Sequence, residues 1–194
     1  ERAKAEDWRP STNGESNTPL MHVGTQQFST SDEDLEYLAR HSCHAKNENA
    51  ITFHREYGWD VDELVTKKEQ CAKFGVDMEM VALPIHQFAV DGESTPNYMR
   101  GFNDEADKEI ELICHMIRQA SDAGIPAIKY FLCEMENQRT DSHPPGRGNS
   151  SYSTFRLEEA KNREQRYDQV LTAETNWERI TYVLERIIPV ASEY

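Results

Sequence analysis

A parallel β-sheet covered by helices is the fold class this sequence predicts, and three observations predict it. Strand-like and helix-like segments alternate along the chain four times, most of the strand segments are apolar, and glycines stand where two helical runs should stop, at Gly75 and Gly124. With 194 residues and 37% apolar content the chain can bury one sizeable core.

Residues 1–19, "ERAKAEDWRPSTNGESNTP", are polar, aperiodic and rich in turn formers, and read as a poorly ordered lead-in. "MHVGTQQF" (21–28) is the first expected strand. "STSDEDLEYLARH" follows as a helix, with Ser or Thr as cap, acids in its first turn, and Leu35, Leu38 and Ala39 on one face. A second strand is expected over 45–51, and its polar end suggests that a site lies there. The helix over 61–74 places Val61, Leu64, Val65 and Ala72 on its core face before Gly75.

"VDMEMVALP" is the third strand, ended by Pro84. In the next helix Ile110, Ile113, Cys114, Ile117 and Ala120 mark the core side, and Gly124 closes it. "PAIKYFLC" is the fourth strand. The segment 136–155, "ENQRTDSHPPGRGNSSYSTF", has neither helical nor strand period, and loops of that length inside a compact domain are uncommon unless functional or disordered. Beyond it "RLEEAKNREQR" reads as a surface helix. The last helix should open at Thr175 and Glu178 in capping-box spacing, carry Trp177, Ile180, Leu184, Ile187 and Ile188 as its apolar stripe, and kink or end at Pro189.

Two closures fit the alternation, an open doubly wound sheet and a (β/α) barrel. "GTQQF" lacks the G-x-G-x-x-G of a dinucleotide site and no Walker A sequence occurs, so the barrel gains. A full barrel usually needs about 250 residues. The roughly 175 residues after the lead-in therefore read as a (β/α) TIM-barrel type domain over 20–194 with about four of eight units. The first residue, Glu1, and the stop at "VASEY" without a glycine or asparagine suggest a truncated chain.

A formal charge of −14 argues against general nucleic-acid binding. No apolar run approaches the length of about 18 residues that a membrane helix needs, and no signal-peptide pattern opens the chain. A cytoplasmic, membrane-free protein is the expectation. Cys43, Cys71, Cys114 and Cys133 form no CxxC pair and are expected to be reduced and mostly buried.

In a barrel the functional groups follow the strands. Those positions hold Gln26 and Gln27, then Asn47, Glu48 and Asn49, then His86 and Gln87, and finally Glu134, Glu136 and Arg139. Amides, carboxylates and an imidazole converging on one pocket suit a polyol or sugar acid. Arg139 and Arg147 are the anion-binding candidates, because a guanidinium fork matches a carboxylate. Glu48 and Glu134 are weak candidates as ligands for a divalent ion. His22 is expected to pack against neighbours, and His41, His44 and His54 to lie at the surface.

"MHVGTQQFSTSDEDLEYLARH", "WDVDELVTKKEQCAKFGVDMEMVALPIHQ", "IPAIKYFLCEMENQRTD" and "GRGNSSYSTFRLEEA" resemble the first half of mannonate dehydratase and its relatives among the xylose-isomerase-like TIM barrels. The most specific pieces are "PIH" after the third strand, "DVDELVTKK" in the second helix, and "RTD" at 139–141. The resemblance implies a hydro-lyase that converts D-mannonate to 2-keto-3-deoxy-D-gluconate with Mn²⁺ or a similar divalent ion. It also implies that Arg139 holds the carboxylate or adjacent oxygens and that His86 contacts the hydroxyls; Asn47 and Gln27, by their place at the strand ends, and Arg147, in the long loop, are the further expected substrate contacts. The family's metal ligands, a histidine, cysteine, histidine and aspartate set, come from later strands, and no residue here corresponds to them. Two alternatives stand beside this reading. One is a xylose-isomerase-like isomerase or epimerase in which Glu48, His86 and Glu134 hold a metal; the other is an inactive partial barrel that survives by self-association, a homo-oligomer.

Overall fold

A computed structural model describes residues 22–27, 29–84, 96–130, 132, 139–140, 143–161 and 171–194. Four strands, β1 (Gly24–Thr25), β2 (Ala45–Glu48), β3 (Asp77–Ala82) and β4 (Ala127–Lys129), form one sheet in sequence order with every pairing parallel. Helices separate them: α1 (Asp32–Arg40), α2 (Val61–Lys73) and α3 (Asp104–Asp122). After β4 come a short α4 (Leu157–Ala160) and the long α5 (Ala173–Glu193). The chain is thus mixed α/β with a four-stranded parallel sheet, the arrangement expected of part of a (β/α) barrel.

Helices α1, α2 and α3 each start where a side chain can replace a missing backbone partner. Ser31, Asp60 and Asn103 accept from the N–H groups of Asp34, Asp62 and Ala106, and acids fill all three first turns. Gly75 and Gly124 adopt φ of +70° and +69°, the left-handed geometry that stops α2 and α3. Between sheet and helices lies one core of Leu35, Leu38, Leu64, Met78, Val81 and Ile113 with their neighbours.

Several expectations need correction. The strands are shorter than their apolar runs suggest; β2 stops at Glu48 because that carboxylate turns back to take the N–H groups of Asn49 and Ala50. In α2 the core residue of the last turn is Cys71, while Ala72 is exposed. α5 is capped three residues earlier than expected, by Thr172 accepting from Thr175 N at 3.1 Å. Its core stripe is Ile180, Val183, Leu184 and Ile187, which leaves Trp177 67% and Ile188 48% exposed. Pro189 does not end α5, which runs to Glu193; Ser192 Oγ supports the turn by donating to Ile188 O at 2.9 Å. His22 does not pack inward but is exposed and bonded to Glu79 Oε2 at 2.8 Å. His41 and His44 are at the surface as expected, and His54 is half-buried, stacked on Tyr57.

Residues 143–155 of the aperiodic segment form a tight hairpin. Pro145 and Ser151 form an antiparallel bridge, Gly146 N donates to Ser150 O at 2.6 Å, and the tip turns through Gly148 and Asn149 at positive φ. Its base is held by Thr140, 2% exposed: its N–H donates to Thr154 O and its hydroxyl accepts from Arg156 N.

Among the described residues Cys43, Cys71 and Cys114 are free thiols, the first two buried. No helix among them is long and apolar enough to cross a membrane.

Candidate functional site

The polar second strand organises the end of the sheet where barrel folds place their chemistry. Side chains alternate across a strand, so Lys46 and Glu48 share one face of β2 and Asn47 takes the other. Lys46 and Glu48 turn toward the helices. Both are buried at 2% exposure, with Nζ and Oε2 3.0 Å apart. Thr30 Oγ1 also donates to Glu48 Oε2, while Oε1 receives Asn49 N at 2.9 Å and Ala50 N at 2.8 Å. Burial pushes the Glu48 carboxyl up, but the Thr30 hydroxyl, the Ala50 N–H and Lys46 outweigh it and hold it below its usual range.

On the opposite face three amides form a chain whose orientation is forced. Gln26 O is a carbonyl and can only accept, so Asn49 must present Nδ2 to it, at 2.7 Å. Asn49 Oδ1 then receives Asn47 Nδ2 at 2.8 Å. Asn47 Oδ1 is left without a partner although the residue is only 7% exposed. From β4, Lys129 Nζ donates to Gln26 Oε1, past the two intervening strands. Its side chain therefore shares the amides' face of the sheet. The β2–β3 register shifts between Lys46 and Asn47, which pair with Met78 and Met80 and leave Glu79 as the extra residue of a bulge. Bulges of this kind collect beside functional sites.

The predicted site residues separate accordingly. Asn47 lies in the amide cluster. Gln27 is exposed beside it, its backbone N–H on Thr25 Oγ1 at 3.2 Å. Glu48 faces the helices with both oxygens engaged, so it is not turned toward an open site as a metal ligand would be. Arg139 is exposed and engaged by interactions of its own. Arg147 is exposed at the hairpin tip. His86 and Glu134 lie outside the described residues.

Two residues were missed. Lys129 interrupts the apolar "PAIKYFLC", and Lys46 stands two residues from Glu48 in a strand already marked as polar. Period-two alternation would have placed Lys129 opposite Ile128, and Lys46 with Glu48.

No family model matches this chain, and no curated protein matches it. Among solved structures, the crystal structure of mannonate dehydratase from Streptococcus suis serotype 2 superposes with a TM-score of 0.69 at 19% identity. The match covers 90% of this chain and 51% of that one, so the chain spans about half the length of the structure it resembles. At that identity the likeness is one of fold.

Proposed function

We propose that this chain contributes four β/α units and a substrate-holding surface to a barrel acting on sugar acids, as a carbon–oxygen lyase of the mannonate dehydratase kind. The observation that carries the reading is the amide and ammonium cluster of Gln26, Asn47, Asn49 and Lys129 on one face, at the carboxyl ends of β1, β2 and β4. Amides match hydroxyls and an ammonium matches a carboxylate, and an aldonate carries both. Dehydration of D-mannonate removes the proton beside the carboxylate and expels the neighbouring hydroxyl, leaving the 2-keto acid after tautomerisation.

The resemblance implies Mn²⁺ or a similar ion, which would stabilise the enolate-like charge. Among the described residues no group of three or more His, Cys, Asp or Glu could hold a metal, and Glu48 is already saturated. These residues do not fit the ion, and the role assigned to this surface is substrate holding. The isomerase alternative would need Glu48 to give up these partners, and its other two residues, His86 and Glu134, lie outside the described residues.

Calorimetric titration of the 194-residue chain with D-mannonate tests the reading. Binding is expected, weakened about tenfold by Asn47→Ala, which removes an acceptor that a substrate hydroxyl would otherwise satisfy. Absence of binding, or an Asn47→Ala variant that binds equally well, would overturn it.

A second reading, self-association, is favoured by one specific feature. Among the described residues β1 and β4 each pair on one side only, and beside β4 runs an apolar groove of about 420 Å³ lined by Leu83, Ile113, Ile117, Ile128, Ile187 and Tyr194. Open edges next to apolar surface favour pairing, here with a second copy of this chain. Sedimentation velocity is expected to show a dimer that Ile188→Lys, at the groove wall, converts to monomer. A wild-type chain that stays monomeric at its highest soluble concentration rejects this reading.

A further inference from the structure

The unexplained charge in the amide cluster is Lys129. The chain carries 35 acidic side chains, yet the ammonium of Lys129 is directed to the neutral carbonyl of Gln26. Its neighbours along β4, Ala127 and Ile128, are apolar, and Ile128 packs against the core on the other face. A lysine is flexible enough to lie back toward solvent; this one reaches across the sheet instead.

With Gln26 Oε1 accepting from Lys129, the Gln26 Nε2 donors sit beside the ammonium. A carboxylate placed there would meet a cation and an N–H donor together. Asn47 stands beside Gln26, because Thr25 pairs with Lys46 and the residues that follow are Gln26 and Asn47. Its buried, unpartnered Oδ1 can accept a hydrogen bond from a hydroxyl. The cluster thus presents a cation and donors at one end and an acceptor at the other, the pattern of a polyhydroxylated carboxylate.

Resting on the sugar-acid reading above, we propose that Lys129 is the carboxylate anchor of this surface and makes it select aldonates over the matching neutral polyols. The two arginines favoured by sequence fit that role less well: Arg139 is exposed with interactions of its own, and Arg147 sits at a hairpin tip. Anchoring at Lys129 orients the sugar chain along the carboxyl ends of β1 and β2, with a hydroxyl on Asn47.

The test compares D-mannonate with D-mannitol, its neutral analogue, on the full 194-residue chain by calorimetry. Wild type is expected to bind the acid more tightly than the alditol. Lys129→Met should weaken D-mannonate about tenfold or more and leave D-mannitol unchanged, and Lys129→Arg should restore most of the preference. Thermal melts confirm that the variants fold. Independently, ¹³C-lysine NMR on wild type should show the Lys129 resonance, assigned by its absence in Lys129→Arg, moving with D-mannonate and not with D-mannitol. A Lys129→Met variant that keeps its D-mannonate affinity, or an unmoved resonance while the acid binds, overturns the anchor and leaves the sugar-acid surface standing. A wild-type chain that binds neither ligand, or both equally, overturns both.

Discussion

Glu48→Ala is expected to destabilise the fold by about 3–5 kcal/mol, measured by urea unfolding, because it breaks a buried ion pair by removing one partner. Lys46 would keep its charge with no exposed side-chain surface and without the carboxylate it pairs with. Asn49 N and Ala50 N would lose their acceptor, and Thr30 Oγ1 its own. The pair itself is not thereby shown to be stabilising, since apolar replacements of buried pairs are often neutral or better. The double variant Lys46→Met with Glu48→Leu should accordingly recover much of the loss. It should not recover the turn after β2, which depends on the Glu48 oxygen and aims Asn49 at Gln26. Ligand affinity is therefore expected to stay low in a double variant whose stability has returned. A loss below about 1 kcal/mol in Glu48→Ala would mean that Lys46 finds water, as an exposed pair would.

Acid provides a second view of the same group. The folded-state pKa of Glu48 is depressed, so on acidification the unfolded chain takes up this proton before the folded one does. The stability it contributes is present above the ordinary carboxylate value and is lost as pH falls through its lower folded value. Glu109 behaves in the opposite sense. Burial raises its pKa against the pull of the Tyr98 N–H and the Asn97 amide, so its contribution is present below the ordinary value and is lost as pH rises through the raised one. Glu48→Ala should then flatten the fall in stability below about pH 4.

The layers of this fold were legible because period and caps are local. Leu35 and Leu38, Ile110 and Ile113, Gly75 and Gly124 all signal their positions within a turn or two of sequence. The site was legible only in part. The polar "AKNE" marks β2 as unusual and points to Asn47 and Glu48 alike. The face of Asn47 is opposite to that of Glu48, and only strict alternation from the correct strand start distinguishes the two. Lys129 was hidden for another reason: a lone lysine in an apolar strand acquires meaning from Gln26, 103 residues away. The α5 cap is not a local signal: Thr172 and Thr175 both precede good helical residues, and the choice between them depends on where the chain enters. The exposure of Trp177 likewise depends on how α5 is rotated against α3, which no local pattern records.

Gly58→Ala is expected to cost about 2–5 kcal/mol, from left-handed strain and overpacking together. Gly58 has φ of +82°, and an added Cβ would lie 2.6 Å from Met116 Cγ and 2.8 Å from Gln119 Oε1. Neither neighbour can yield freely. Met116 is fully buried, and Gln119 uses its amide to accept from Trp59 N at 3.0 Å and to donate to Tyr57 O and Trp59 O at 2.9 and 2.6 Å. Displacing it would strand backbone groups beside Trp59, which is 1% exposed. Gly148→Ala is the matched control: its φ is +69° with nothing within 4 Å of the new Cβ, so only the conformational cost of about 1–2 kcal/mol remains. The difference between the two variants in urea unfolding isolates the packing term. It also bears on the site, because the segment from Ala50 to the cap Asp60 joins β2 to α2 and is tied down at Thr52 by Glu63 and at Gly58 by the bridge to His54. If Gly58→Ala proves no worse than Gly148→Ala, α3 gives way at Met116, and the connection behind Asn47 and Asn49 is softer than its contacts imply.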